Sequence, residues 1–128
     1  MHIAYWCVLI AAIMPIVWQG LAKFLIRRSY KNSQPRASLA MAEGEAQRAT
    51  WAHDNSWEAF APFAAAVIIA FQVGCLPASV NRFALVFIAA RVLYGLCYIF
   101  DKSTLRSGVW AVGFGSVVGL FLLAGGVI

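Results

Sequence analysis

The sequence predicts an all-α integral membrane protein, a bundle of four transmembrane helices that forms a single domain over residues 1–128. Hydrophobic residues make up 62% of the chain and the mean hydropathy is +0.78, whereas soluble domains are about 45–50% apolar. Long apolar runs recur, and the ten Lys and Arg residues gather mostly in short segments between them. In that arrangement the net charge of +5 sets membrane topology, so no nucleic-acid partner is expected.

The helices are predicted in order from apolar length and turn signals. The first covers residues 3–26, which are apolar until Lys23 and contain Pro15. A basic loop follows, and Ser38 is the predicted N-cap of a second helix over residues 38–73, roughly 50 Å long. A turn over residues 74–81 leads to the third helix, residues 82–100. A turn over residues 101–105 leads to the fourth, residues 106–128.

Loop charges predict the orientation of the bundle. The loops after the first helix and before the fourth hold most of the cations, whereas the turn between the second and third helices offers only Arg82. The positive-inside rule places the two cation-rich loops in the cytoplasm and both termini outside.

Polar side chains gather in the cytoplasmic half of the predicted bundle. At about 100° per residue, Arg48, Asn55 and Glu58 share one face of the second helix. Three more polar groups come from the last two helices: Arg91, Tyr98 and Arg106. An ionisable residue at membrane depth is costly unless it finds a partner inside the bundle, so Glu58 indicates a functional site.

A structural interpretation competes with the functional one. Glu58 and Arg91 are expected to pair, and this pair could simply fasten two helices together. The pair leaves several cations unexplained, and excess cations in a partly dry pocket favour an anionic ligand. His53 points away from this face and is interpreted as a residue of the membrane interface. No metal site or disulfide is predicted, because the cysteines lack the required spacing: Cys7, Cys75 and Cys97.

The polar residues form an ordered set that resembles the MAPEG family, the membrane-associated proteins of eicosanoid and glutathione metabolism. The set is Arg48-x6-Asn55-x2-Glu58-x3-Pro62-Phe63, then Arg91-x6-Tyr98, then Arg106-Ser107. The resemblance implies a bacterial inner-membrane homotrimer of four-helix subunits, with glutathione bound between neighbouring subunits near the cytoplasmic surface. It also implies the site residues. The residues that would hold the tripeptide are Asn55, Glu58, Arg91 and Tyr98, with Arg48 suited to its carboxylates, Lys23 contributed by the adjacent subunit, and Arg106 with Ser107 at the thiol.

Two functional hypotheses follow. The first is a glutathione-dependent membrane transferase or peroxidase that acts on lipophilic electrophiles, favoured by the Arg106-Ser107 pair. The second is a non-enzymatic lipid-binding or scaffold protein of the same fold, favoured because Trp51 and Asp54 stand where the prostaglandin-synthase branch has arginines. Trp110 replaces a tyrosine of that branch and also suits an interfacial aromatic belt. A small multidrug transporter is disfavoured, since the first helix has no acidic residue.

Overall fold

The computed structural model describes the whole chain, residues 1–128, as five α-helices. They are α1 Ile3–Leu25, α2 Pro35–Ala40, α3 Gly44–Gln72, α4 Pro77–Ile99 and α5 Ser103–Ala124. Among the four long helices, α1 packs chiefly against α3, and α4 packs chiefly against α5. Because α3 also contacts α4 and α5, it joins the two halves of the bundle.

Three of these helices, α1, α4 and α5, are long and apolar enough to cross a membrane. The sequence analysis predicts four such helices, and the difference is α3. That helix is the longest, with 29 residues, but it does not share the apolar composition of the other three. Its first half carries four charged side chains: Glu45, Arg48, Asp54 and Glu58.

The continuous second helix predicted over residues 38–73 is wrong, because residues 41–43 separate α2 from α3. Gly44, at the start of α3, has a φ of +60°, a conformation that glycine adopts without steric cost. Ser38 lies inside α2 and is not an N-cap. Its hydroxyl donates to the carbonyl of Gln34 at 2.8 Å and accepts the N–H of Lys31 at 3.0 Å.

The last two helices begin earlier than predicted. α4 starts at Pro77 and α5 starts at Ser103, whereas the sequence analysis places their first residues at 82 and 106. Pro77 was assigned to the turn, but proline suits the first turn of a helix, where its missing N–H has no intrahelical partner to lose. Arg106 is therefore the fourth residue of α5, in its first turn.

Two clusters of buried apolar side chains hold the helices together. The larger one contains the stacked rings of Phe63 and Phe87, whose centroids are 3.9 Å apart. The smaller one packs Trp18 of α1 and Ile99 of α4 against α3, where alanines allow close approach of the backbones. Trp18 also fills the space beside Gly95, where a Cβ atom would overlap the indole. The second cluster fixes the end of α4 from which the site described below is built.

Candidate functional site

Three helices line a central pocket of about 170 Å³. From α3 come Asn55, Glu58 and Pro62, which helical spacing places on one face, together with Ala59. The other helices supply the remaining walls: Phe87 and Arg91 from α4, and Trp110, Phe114 and Val117 from α5. The central pocket thus combines an aromatic and aliphatic wall with one amide, one carboxylate and one guanidinium.

Arg91 is the buried cation of the central pocket, with 3% of its surface exposed. Its Nη2 donates to Oδ1 of Asn55 at 2.7 Å, and its guanidinium lies 4.2 Å from the ring centroid of Tyr94. Its Nε–H is buried without a hydrogen-bond partner. A buried guanidinium with one strong acceptor and one free donor can accept a further polar group.

The predicted direct pair between Glu58 and Arg91 is wrong. No Glu58 oxygen lies within 4.0 Å of the Arg91 nitrogens. The one contact of this kind within that distance joins the imidazole of His53 and the carboxylate of Asp54, at 3.9 Å. Asn55 stands between the two charges, and its Nδ2 donates to Glu58 Oε2 at 3.5 Å. The neutral amide of Asn55 therefore supplies the hydrogen-bond acceptor for Arg91. The exposed carboxylate of Glu58 remains available to bind another group.

A second, more open groove adjoins the central pocket and shares Asn55 and Glu58 with it. The remaining residues of this adjoining groove are Trp51, Asp54 and Tyr98. The guanidinium of Arg106 lies 4.2 Å from the ring centroid of Tyr98, a cation–π contact that holds the cation beside the groove.

Three residues predicted for the site lie elsewhere in this structure. Arg48 donates from Nε to the carbonyl of Ile99 at 3.1 Å and lines neither the central pocket nor the adjoining groove. Lys23 lies 5.4 Å from the ring centroid of Tyr30. Ser107 donates to the carbonyl of Ser103 at 3.2 Å. The subunit by itself therefore lines the central pocket and the adjoining groove with Asn55, Glu58, Arg91 and Tyr98, and it places Arg106 against the ring of Tyr98.

The structure also changes the charge argument. With Arg48 and Lys23 directed elsewhere, the cations at the site are Arg91 in the central pocket and Arg106 beside Tyr98, and the anions are the carboxylates of Glu58 and Asp54. Two cations and two anions do not form an excess of positive charge. Such a set complements a ligand that carries both carboxylate and ammonium groups.

The sequence analysis missed most of the apolar wall. Trp110 was assigned to an interfacial belt, but it lines the central pocket and stacks on Phe114 with ring centroids 5.2 Å apart. A helical pattern could have found this wall, because Arg106, Trp110, Phe114 and Val117 follow at spacings of three and four. His53, assigned to the membrane interface, donates from Nδ1 to the carbonyl of Pro15 at 2.8 Å and so links α3 to α1.

Comparison with known proteins gives one match. The model of the MAPEG family matches residues 3–126, nearly the whole chain. No curated protein and no solved structure matches the sequence.

Proposed function

This chain belongs to the MAPEG family, and we propose that it is a membrane glutathione S-transferase or peroxidase that activates a thiol for attack on lipophilic electrophiles or hydroperoxides. Its family and its three apolar helices make it an integral membrane protein. The observation that carries the proposal is the hydrogen-bonded series Arg91–Asn55–Glu58, whose groove also contains Tyr98 with Arg106 over its ring. These groups fit a thiol tripeptide that has two carboxylates and one ammonium group.

The chemistry of the site assigns a role to each polar residue. Glu58 accepts hydrogen bonds from the ammonium group of glutathione, because its carboxylate has only a weak contact with Asn55. Arg91 offers its unpartnered Nε–H to a carboxylate. Tyr98 supplies a hydroxyl at the adjoining groove. Arg48 is outside this set because its Nε is engaged by a backbone carbonyl.

Arg106 is the proposed catalytic cation. A free thiol has a pKa of about 8.5 and reacts as the thiolate, so a guanidinium beside it increases the reactive fraction at neutral pH. The ring of Tyr98 holds Arg106 at the edge of the groove. Ser107, the next residue, is proposed to assist at the thiol after its hydroxyl leaves the Ser103 carbonyl. When bound, glutathione supplies the sulfur that bonds to the electrophilic carbon while the leaving group departs with the bonding electrons.

The lipophilic substrate reaches the site from the membrane. Trp110 and Phe114 of the pocket wall are 43% and 51% exposed, on a helix that is apolar enough to span. An apolar compound dissolved in the lipid can therefore contact the same wall that closes the polar site.

The active assembly is proposed to be a homotrimer in a bacterial inner membrane, with the site toward the cytoplasm and α3 as a fourth spanning helix. A trimer would explain the position of Lys23, whose ammonium group lies over the ring of Tyr30 and not in the central pocket of its own subunit. In the trimer it would reach the glutathione of a neighbouring subunit. A spanning α3 would bury its polar face against the other helices and not against lipid.

Binding and turnover measurements on one set of variants test this function. Glutathione binding to the detergent-purified protein should produce the ultraviolet absorbance of a thiolate. Arg106→Lys and Arg106→Ser should lower turnover with an aryl halide by about tenfold or more, or about 1.4 kcal/mol, because Lys lacks the planar fork of Arg. Arg82→Ser, which removes an exposed cation near the start of α4 at the opposite end of that helix from Tyr98, should leave turnover unchanged. If the unmutated protein gives neither thiolate signal nor turnover, the transferase hypothesis is rejected.

A non-enzymatic lipid-binding or scaffold function is the second candidate. The observation in its favour is the adjoining groove, where Trp51 and Asp54 supply an indole and a carboxylate. A carboxylate there repels the carboxylates of glutathione, while an indole suits a lipid chain. Lipid that copurifies with the protein and blocks the central pocket, together with no glutathione binding, would support this function.

A further inference from the structure

Arg48 makes a contact that links α3 to the end of α4. Its side chain donates from Nε to the carbonyl of Ile99 at 3.1 Å, across 51 residues of sequence. The preceding carbonyls of α4 are satisfied locally: Leu96 accepts from the N–H of Phe100, Cys97 from Lys102 and Tyr98 from Asp101. The carbonyl of Ile99 receives no such backbone bond. Arg48 therefore completes the hydrogen bonding at the C-terminus of α4, where its positive charge also interacts favourably with the helix dipole.

The turn beyond this contact is under strain. Asp101 has a φ of +58° and occupies the position that follows the helix cap, where the N–H of Lys102 bonds back to Cys97 at 2.8 Å. At the equivalent positions after α3 and α5 the chain has Gly74 and Gly126, with φ of +83° and +70°. Glycine is the usual residue there because it has no Cβ to clash. The α4–α5 turn lacks this advantage, and the bond from Arg48 supports it from outside.

Displacement of this turn would move Arg106 in two ways. Ile99 directly follows Tyr98, whose ring lies 4.2 Å from the Arg106 guanidinium. Three residues, 100–102, then connect α4 to α5, and Arg106 lies in the first turn of α5. Tyr98 lies at the end of α4 that Arg48 contacts, and α5 follows that end after three residues. The position of Arg106 therefore depends on the contact made by Arg48.

We infer that Arg48 is a positioning residue, which fixes the end of α4 so that the Arg106 guanidinium lies where the thiol is held. This inference rests on the proposed function of Arg106 and differs from the role expected from sequence, in which Arg48 binds the carboxylates of glutathione. The two roles make different predictions. A residue that binds carboxylates changes the affinity for any glutathione derivative, whereas a residue that positions Arg106 changes the ionisation of the bound thiol.

The test uses Arg48→Met, with Arg48→Lys as the conservative variant. The matched control is Arg27→Met, since Arg27 also donates to a carbonyl at the end of a helix, that of Phe24 at 3.1 Å, but lines neither the central pocket nor the adjoining groove. Two quantities are measured on the detergent-purified protein. The first is the pKa of bound glutathione, from thiolate absorbance against pH. The second is the Kd of S-methylglutathione, which has no ionisable thiol.

Arg48→Met should raise the pKa of the bound thiol by about 0.5 to 1 unit, which lowers the thiolate fraction by roughly three- to tenfold at pH values well below that pKa. The Kd of S-methylglutathione should change by less than about twofold. Arg48→Lys should restore most of the thiolate, because an ammonium group can donate to the same carbonyl. Arg27→Met should match the unmutated protein in both measurements.

Three results would overturn the inference. An unchanged thiol pKa in Arg48→Met shows that the contact does not position Arg106. A Kd of S-methylglutathione that is more than about twofold higher in Arg48→Met shows that Arg48 binds the tripeptide directly. If Arg48→Met does not fold, Arg48→Gln takes its place, because it keeps a polar side chain without the charge. An unchanged thiol pKa in folded Arg48→Gln then shows that the role of Arg48 is structural only. The absence of any thiolate signal in the unmutated protein is a different outcome, because it removes the proposed function before Arg48 is considered.

Discussion

Replacement of Asn55 by alanine should destabilise the protein more than any change at Glu58. Arg91 is 3% exposed, and Asn55 is the side chain that accepts its hydrogen bond, at 2.7 Å. Without that acceptor the guanidinium is left charged and buried. Breaking a buried charged contact costs about 3–5 kcal/mol, but water entering from the central pocket offsets part of this, so we expect about 2–4 kcal/mol. Glu58→Gln should cost less than about 1 kcal/mol, because Glu58 is exposed and its contact with Asn55 is 3.5 Å long.

Double-mutant cycles with Arg91→Met separate the two contacts. The coupling of Asn55 with Arg91 should be about 1.5–3 kcal/mol, whereas the coupling of Glu58 with Arg91 should be below about 0.5 kcal/mol. The assay is reversible unfolding in mixed detergent micelles, followed by circular dichroism. Asn81→Ala is the matched control. It removes an amide that accepts the N–H of Ala4 at 2.9 Å, a neutral contact whose loss should cost about 1 kcal/mol. A larger coupling for Glu58 than for Asn55 would show that the charges pair directly and would refute this reasoning.

Two further predictions concern packing and topology. Gly95→Ala should destabilise the protein by about 2 kcal/mol or more, since the new Cβ would overlap the indole of Trp18. Adding Trp18→Phe should recover part of that loss in a thermal unfolding assay, and strictly additive losses would argue against the clash. A reporter inserted near Ser33 should be active on the cytoplasmic side of a bacterial inner membrane, and one fused after Ile128 should be active outside. The reverse pattern would move the proposed site to the other face.

Helical spacing predicted part of the lining of the central pocket. Asn55 and Glu58 are three residues apart, so an uninterrupted helix must place them on one face, and the structure puts both in the central pocket. The sequence also predicted the three long apolar helices α1, α4 and α5, because apolar length is a property of composition. Membership of the MAPEG family was predicted from the ordered polar set, and the match over residues 3–126 confirms it.

The contacts between side chains could not be predicted in this way. An arginine side chain has several rotatable bonds, each with staggered alternatives, so spacing cannot decide whether Arg48 points to a pocket or to the carbonyl of Ile99. The indirect link between Glu58 and Arg91 could not be predicted for a related reason. Whether Asn55 lies between the two charged groups depends on the distance between α3 and α4, which spacing along the sequence does not give. The break before Gly44 was missed because no proline marks it, and a φ of +60° leaves no other signal than the glycine itself.

The polar half of α3 contains side chains that are satisfied within the protein and side chains that remain free for the proposed ligand. Several of its polar groups are satisfied within the protein: Arg48 by Ile99, Thr50 by Ala46, His53 by Pro15 and Ser56 by Ala52. Such bonds offset the cost of placing polar groups in an apolar bundle. Glu58 and Asp54 have only long contacts, of 3.5 and 3.9 Å, and both lie in the groove next to Arg106. A polar ligand with an ammonium group would satisfy them, so the groups left over by folding are those that a zwitterionic thiol can use.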